Sequence, residues 1–209
     1  ACSPGAMLCG TDGEKRELAV TNNDNPVRTA ATRLLDVLDR VGDDVLAAEG
    51  EIEAIMKELL VVEWLDDVNA TPAGDDTDDE VATGWLYQDG DLRIVRGRMR
   101  AGFSQEPHDH GAWNIFAVYR GACHYRAYRR LDDGSRPYRA DLDVATDRVM
   151  TDGDVTVLPG PPHDIHAVTA LAPRTTTLLV ARGPFSPVRH QYLPELGAFR
   201  ELPACEAAR

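Results

Sequence analysis

The chain reads as mainly β, a strand-rich sandwich or barrel with an α-helical region in front of it. Two observations carry that prediction. From Pro26 to about Val68 the apolar residues recur with a helical period, whereas after Val81 they fall into short runs separated by turn residues. The helices come first and the strands later, a segregated order unlike the strand–helix alternation of a parallel α/β sheet.

In chain order, Val27, Ala30, Ala31, Leu34, Leu38 and Val41 make one apolar stripe that ends at Gly42. Asn25 before Pro26 suits a helix start, a capping side chain followed by proline at the first helical position. Ile52, Ile55, Met56, Leu59 and Leu60 make a second stripe running toward Trp64, and NATPAGDDTDDE (69–80) reads as an acidic linker. Trp85–Tyr87 and Leu92–Met99 flank QDGD, where Asp89-Gly90 is a hairpin-turn pair. Ile115–Tyr119 meets a turn at Gly121-Ala122, and Cys123–Arg130 runs into a turn at Asp133-Gly134. Val155–Leu158, Ile165–Val168 and Thr175–Ala181 complete the strands, a number and spacing that imply a sandwich or barrel.

Composition bounds the function. The 209 residues, 43% hydrophobic, are enough for one domain with a core of its own. No apolar run approaches the roughly 18 residues of a membrane span. The N-terminus lacks a basic segment followed by an apolar core, and the four cysteines (Cys2, Cys9, Cys123, Cys205) show neither CxxC nor disulfide-like spacing, so a cytoplasmic protein with free thiols is expected. The net charge of −13 opposes phosphate backbones and argues against nucleic acid. It is unevenly spread: residues 1–91 carry 22 acidic and 6 basic side chains, residues 92–209 carry 13 and 16. The expected partner is a small-molecule substrate, with no nucleic acid and no membrane; a homodimer is left open.

The histidines point to chemistry. His108 and His110 stand one residue apart before an apolar run; on a strand they share a face while Asp109 points away. Two more, His163 and His166, lie in a second strand–turn–strand unit, DGDVTVLPGPPHDIHAV, which antiparallel pairing would bring against the first. His163 follows a double proline in a turn. His166 lies in an apolar strand and is the expected third ligand, with His163 the alternative.

The spacing Gly102, five residues, His108-x-His110, three residues, Asn114, six residues, Gly121 resembles the first motif of the cupin superfamily. Gly153, five residues, Pro159 and a later histidine resemble the second, with Gly160-Pro161-Pro162 disturbing its interval. The resemblance covers about residues 84–185. It implies a double-stranded β-helix, or jelly-roll barrel, with a metal inside, and a division into a helical region and linker (1–80), a barrel (81–185) and a C-terminal extension (186–209) lying over it. Cupins usually carry glutamate as a fourth ligand where this chain has Asn114, so the expected set is three histidines, a set that suits Fe, Zn, Cu or Ni.

HDHG before an apolar strand, and IHAV in the second motif, resemble the iron-binding segments of cysteine dioxygenase-type proteins. That resemblance implies Fe(II) held by His108, His110 and His166, O2 as co-substrate, and oxidation of a thiol to a sulfinate. Tyr125, which shares a strand face with Cys123, is the expected catalytic hydroxyl near the metal, with an ordinary core tyrosine as the alternative; His124 has opposite parity and should lie outside. The chain also departs from the family. Animal-type members have a cysteine at the Asn114 position cross-linked to a tyrosine at the Ala181 position, with histidine and serine partners where Leu179 and Thr177 stand here. The family's carboxylate-binding arginine would fall near Ala82–Trp85, where there is none. Arg96, Arg98 and Arg100 share a parity and offer either an anion clamp or a basic stripe facing the acidic helices. Two alternatives to thiol oxidation stay open: a non-thiol metal-dependent reaction (C–C-cleaving dioxygenase, isomerase or decarboxylase), and a metal-containing binding module.

Overall fold

The structure, a computed structural model, describes residues 25–63, 82–183 and 188–202. The proposed linker, Trp64 and three of the four cysteines lie outside those residues.

The first apolar stripe folds as α1 (Pro26–Val41) and the second as α2 (Glu49–Leu60), joined through a 3-10 turn at Val45–Ala48. Asn25 caps α1: its side-chain oxygen accepts from the Val27 and Arg28 N–H groups at 2.9 and 3.4 Å, satisfying donors that a helix start leaves open.

Eleven strands follow among the described residues, in two antiparallel sheets. One sheet has the order β1 (Ala82–Asp89), β2 (Leu92–Met99), β9 (Thr175–Arg182), β4 (Asn114–Arg120), β7 (Val155–Leu158). The other runs β11 (Ala198–Leu202), β10 (Arg189–Leu193), β3 (Ser104–His108), β8 (Ile165–Ala170), β5 (Ala122–Arg130), β6 (Leu142–Thr151). Without the outlying strands these orders are 2-9-4-7 and 3-8-5-6, and the chain changes sheet at every step from β2 to β9 except β5–β6. That is the strand order of a jelly roll, so the fold is mainly β, a double-stranded β-helix with an N-terminal helical region.

Strand alternation divides the core. On β4, Ile115, Ala117 and Tyr119 face the helices and join Leu34, Leu38, Ile52 and Met56 in one cluster, with Leu178 and Val180 of β9 and Leu92 and Ile94 of β2. Phe116 and Val118 face the other way and pack between the sheets with Cys123 and Tyr125 of β5, Met150 of β6 and Val168 of β8. Each fully buried aliphatic side chain contributes about 1.5–3 kcal/mol relative to exposure, so the helix–sheet contact is a major part of the fold's stability. Buried Arg96 shares the helix-facing parity of Leu92 and Ile94, and Arg182 on the same sheet reaches Asp39 of α1 at 2.6 Å. Of the two readings of the arginine stripe, this placement agrees with the one facing the acidic helices.

Gly121, the single residue between β4 and β5, has φ +90°, and a Cβ there would lie 2.9 Å from Thr175 Oγ1 and 3.0 Å from its Cα. Only glycine fits both the backbone and the space. Asp133-Gly134 is not a tight hairpin turn, because β5 and β6 are joined by the long segment 131–141. Within it Asp132 accepts from Arg130 at 2.9 Å and from the N–H groups of Gly134 and Asp141 at 2.8 and 2.7 Å. In the C-terminal segment, β10 and β11 continue the second sheet. No helix among the described residues is long and apolar enough to cross a membrane.

Candidate metal centre

Three histidines meet between the sheets at one end of the jelly roll. His108 ends β3, and across the ladder its direct partner on β8 is His166, so the two side chains share the inner face. His110 does not lie on a strand as expected, because β3 stops at His108. Its position is set by Asp164, just before β8, whose carboxylate accepts from the N–H groups of His110 at 2.9 Å and Gly111 at 2.6 Å. Gly111, at φ 71°, turns the chain away immediately afterward.

The rings form a near-equilateral triangle, with centroids 5.0 Å (108–110), 4.8 Å (108–166) and 5.0 Å (110–166) apart. One nitrogen from each lies within 4.8 Å of the others, and His110 Nε2 is 3.0 Å from His166 Nε2. Both of those nitrogens cannot carry protons along that line. His108 donates from Nδ1 to the Glu106 carbonyl at 2.8 Å, which leaves its Nε2 as a lone pair. Burial pushes all three rings toward the neutral form: His108 falls to about 4, first by desolvation and then by the positive charge of Arg189, and desolvation likewise holds His110 and His166 well below the usual histidine range. Neutral imidazoles converging in a buried site are the donor set a divalent cation needs, and these residues therefore fit a bound metal. His163 is half-buried in the turn after Pro162 and stands apart from this group.

Two further polar side chains face the same interior. Tyr125 is fully buried, stacks on Phe116 at 5.2 Å, and meets His166 edge-on at 5.6 Å, with no protein partner for its hydroxyl. Desolvation raises its pKa, so the phenol stays protonated and able to donate. Asn114 is also fully buried, on the same side of β4 as Phe116, and neither its amide oxygen nor its nitrogen has a protein partner. Cys123, beside Tyr125, has its thiol pushed up to about 12 mainly by burial and behaves as a small core side chain. His124, of opposite parity, pairs with Asp147 on the outer face at 2.5 Å.

The sequence reading missed Arg189. On β10, Gln191 pairs with His108, so Arg189, two residues earlier, projects from the same face beside His110. Its Nε donates to the Asp109 carbonyl at 2.9 Å, and its charge contributes to the lowering of all three histidines. The residue lies 79 positions after His110, and no local pattern joins the two. A cleft of about 680 Å³ lined by Lys57, Tyr119, Arg120 and Asp154 opens elsewhere and touches none of these side chains.

No family model matches the sequence, and no curated protein matches it. Solved structures similar to this chain include a cupin superfamily protein from Desulfitobacterium hafniense (16% identity, 52% of this chain and 82% of that one, TM-score 0.38). KdgF from a Halomonas species is 21% identical over 52% of this chain and 84% of its own, with a TM-score of 0.39. The DMSP lyase DddQ from Ruegeria pomeroyi is 18% identical over 71% of this chain and 70% of its own, with a TM-score of 0.40. Likeness at this level carries no argument about activity, and the jelly roll rests on its own strand order.

Proposed function

We propose that the chain is a non-haem Fe(II) dioxygenase that oxidises a small thiol carrying an anionic group to its sulfinate. The observation that carries this reading is the convergence of three buried neutral imidazoles, with no carboxylate among them, beside the guanidinium of Arg189. A neutral donor set leaves a divalent ion its full charge, which favours an anionic ligand such as a thiolate. Fe(II) held by His108, His110 and His166 would supply a Lewis-acidic, redox-active centre joining thiol and O2. The balance is RSH + O2 → RSO2H: both oxygen atoms go to sulfur, which loses four electrons while O2 gains four.

The chain's own residues do the rest. Arg189 orients the anionic end of the substrate, and its charge favours a second anion in the same pocket. Tyr125 holds its proton and donates a hydrogen bond to the reacting group, while Asn114 offers one donor face and one acceptor face. The apolar walls, Phe116 and Leu158, exclude water. Arg189 stands in for the arginine that the family resemblance places near Ala82–Trp85.

The test is oxygen uptake by anaerobically Fe(II)-loaded protein with 3-mercaptopropionate, cysteine, cysteamine and a non-thiol acid, with His166→Ala as control. Uptake with the thiol acids that disappears in His166→Ala is the expected result. Bound iron with no uptake from any thiol would overturn the thiol reading in favour of a non-thiol metal-dependent reaction.

A further inference from the structure

β10 has two unlike faces. Arg189 and Gln191 stand on the face that pairs with His108, where Gln191 accepts from Arg200 at 2.9 Å, while His190 and Tyr192 stand on the other. Asp109, the residue between the two histidines of the first motif, also points outward and is largely buried. Its carboxylate takes three donors, all from β10: His190 N–H at 2.8 Å, His190 Nδ1 at 2.6 Å and the Tyr192 hydroxyl at 3.1 Å. Its backbone takes part too, with its N–H donating to the His190 carbonyl at 3.3 Å and its carbonyl accepting from Arg189 Nε at 2.9 Å. The ladder between β10 and β3 otherwise registers a single pair, Gln191 with His108. The hairpin is tied elsewhere to the 131–141 segment, where the Ala140 N–H donates to the Gly197 carbonyl at 3.2 Å and the Phe199 N–H to the Tyr138 carbonyl at 3.1 Å, but its side-chain attachment to the His108–His110 segment runs through Asp109.

We infer that Asp109 is a positioning residue, latching the β10–β11 hairpin onto the His108–His110 segment and thereby holding Arg189 beside the metal-binding histidines. The side chain reads outward, yet its effect is felt on the inner face, because a rigid strand transmits the outward grip of His190 and Tyr192 to Arg189. A carboxylate suits the role: two oxygens with four lone pairs can accept all three donors, whereas an amide can accept with one oxygen only. Burial strengthens each of these bonds and makes the loss of any one costly. Tyr192 is anchored further by packing with Tyr128, Ile165 and Ala167. The selection of an anionic substrate rests on the function proposed above, whereas the latch itself does not.

The test uses the full chain loaded with Co(II), whose visible spectrum reports metal binding and thiolate ligation. Asp109→Asn, His190→Ala and Tyr192→Phe are compared with wild type and with Arg189→Gln. Backbone hydrogen exchange across residues 189–202 measures docking. Titration with 3-mercaptopropionate and with 2-mercaptoethanol, its neutral counterpart, measures selection of the anion. Wild type should prefer the acid at least tenfold. Asp109→Asn and His190→Ala should speed exchange in the hairpin at least tenfold and bring the two thiols to near parity, with Co(II) affinity within about threefold of wild type. Tyr192→Phe should show a partial effect. Arg189→Gln should lose the preference with the hairpin still protected. Unchanged exchange in the Asp109 and His190 variants overturns the latch. Fast exchange with the preference intact overturns its link to Arg189. If wild type gives no cobalt–thiolate band with either thiol, the thiol reading falls, and the exchange rates alone decide the latch.

Discussion

The jelly roll carries two attachments, and they are built in opposite ways. On one side, α1 and α2 lie on the outer face of β2, β9, β4 and β7 through a broad apolar contact centred on Leu34, Leu38, Ile52 and Met56. Beside the histidines, the β10–β11 hairpin is joined to the His108–His110 segment by one carboxylate and its three donors. Apolar burial is spread over many side chains and fails gradually. A buried polar cluster is concentrated, and removing one member leaves the others unsatisfied. The helices thus belong to stability and the hairpin to the site, although both are packed on the same framework.

The largest effect should come from the centre itself. His110→Ala should abolish stoichiometric Fe(II) binding, measured by metal analysis after anaerobic loading, while circular dichroism stays that of the folded chain. Full iron occupancy in this variant would remove His110 from the ligand set. Next in size, Leu34→Ala should lower stability by about 2–5 kcal/mol in urea denaturation, with metal stoichiometry unchanged. Loss of metal in step with stability would mean that the two sides are not independent. Asn25→Ala, which uncaps α1, should cost about 1 kcal/mol in the same assay and leave thiol selection untouched.

The smallest effect is one of pH. Asp132 is held below the usual carboxylate range, first by Arg130 and then by the N–H groups of Asp141 and Gly134, against an opposing desolvation cost. A depressed folded pKa adds stability that is complete above the unfolded value of about 3.9 and lost as the pH falls through the folded value. The stability difference between wild type and Asp132→Asn should therefore be flat from neutral pH down to about 4 and shrink only below it. A difference that vanished between pH 7 and 5 would contradict this assignment.

How far the sequence spoke depended on whether local pattern or distant contact decides the structure. Both helices were legible because each buries a single stripe, and Asn25-Pro26 marks where the first begins. Strands β2, β4, β5, β7, β8 and β9 were legible because they alternate or are wholly apolar. β6 was not: Leu142–Thr151 is an edge strand exposed along most of its length, so no buried face imprints a pattern on it. β10 and β11 were missed for a related reason, since RHQYL carries polar residues on both faces and forms a strand by pairing with β11, while its place beside β3 is set by contacts such as Asp109, about 80 residues away. At the site, the i, i+2 spacing brought out His108 and His110, and facing on an apolar strand singled out His166. The detail that failed was His110, which leaves the strand because a side chain, Asp164, replaces its ladder partner. Arg189 could not be found by counting along the chain, because only the pairing of β10 with β3 carries it to the histidines.

The cross-strand pairing of His108 with His166 has a consequence for biosynthesis. A ribosome delivers the chain from its N-terminus, and domains emerge in that order. All three histidines are translated before Arg189, so a nascent chain of about 170 residues already contains the full imidazole set but not the guanidinium beside it. Capture of a cation can thus precede the step that gives the pocket its grip on an anion.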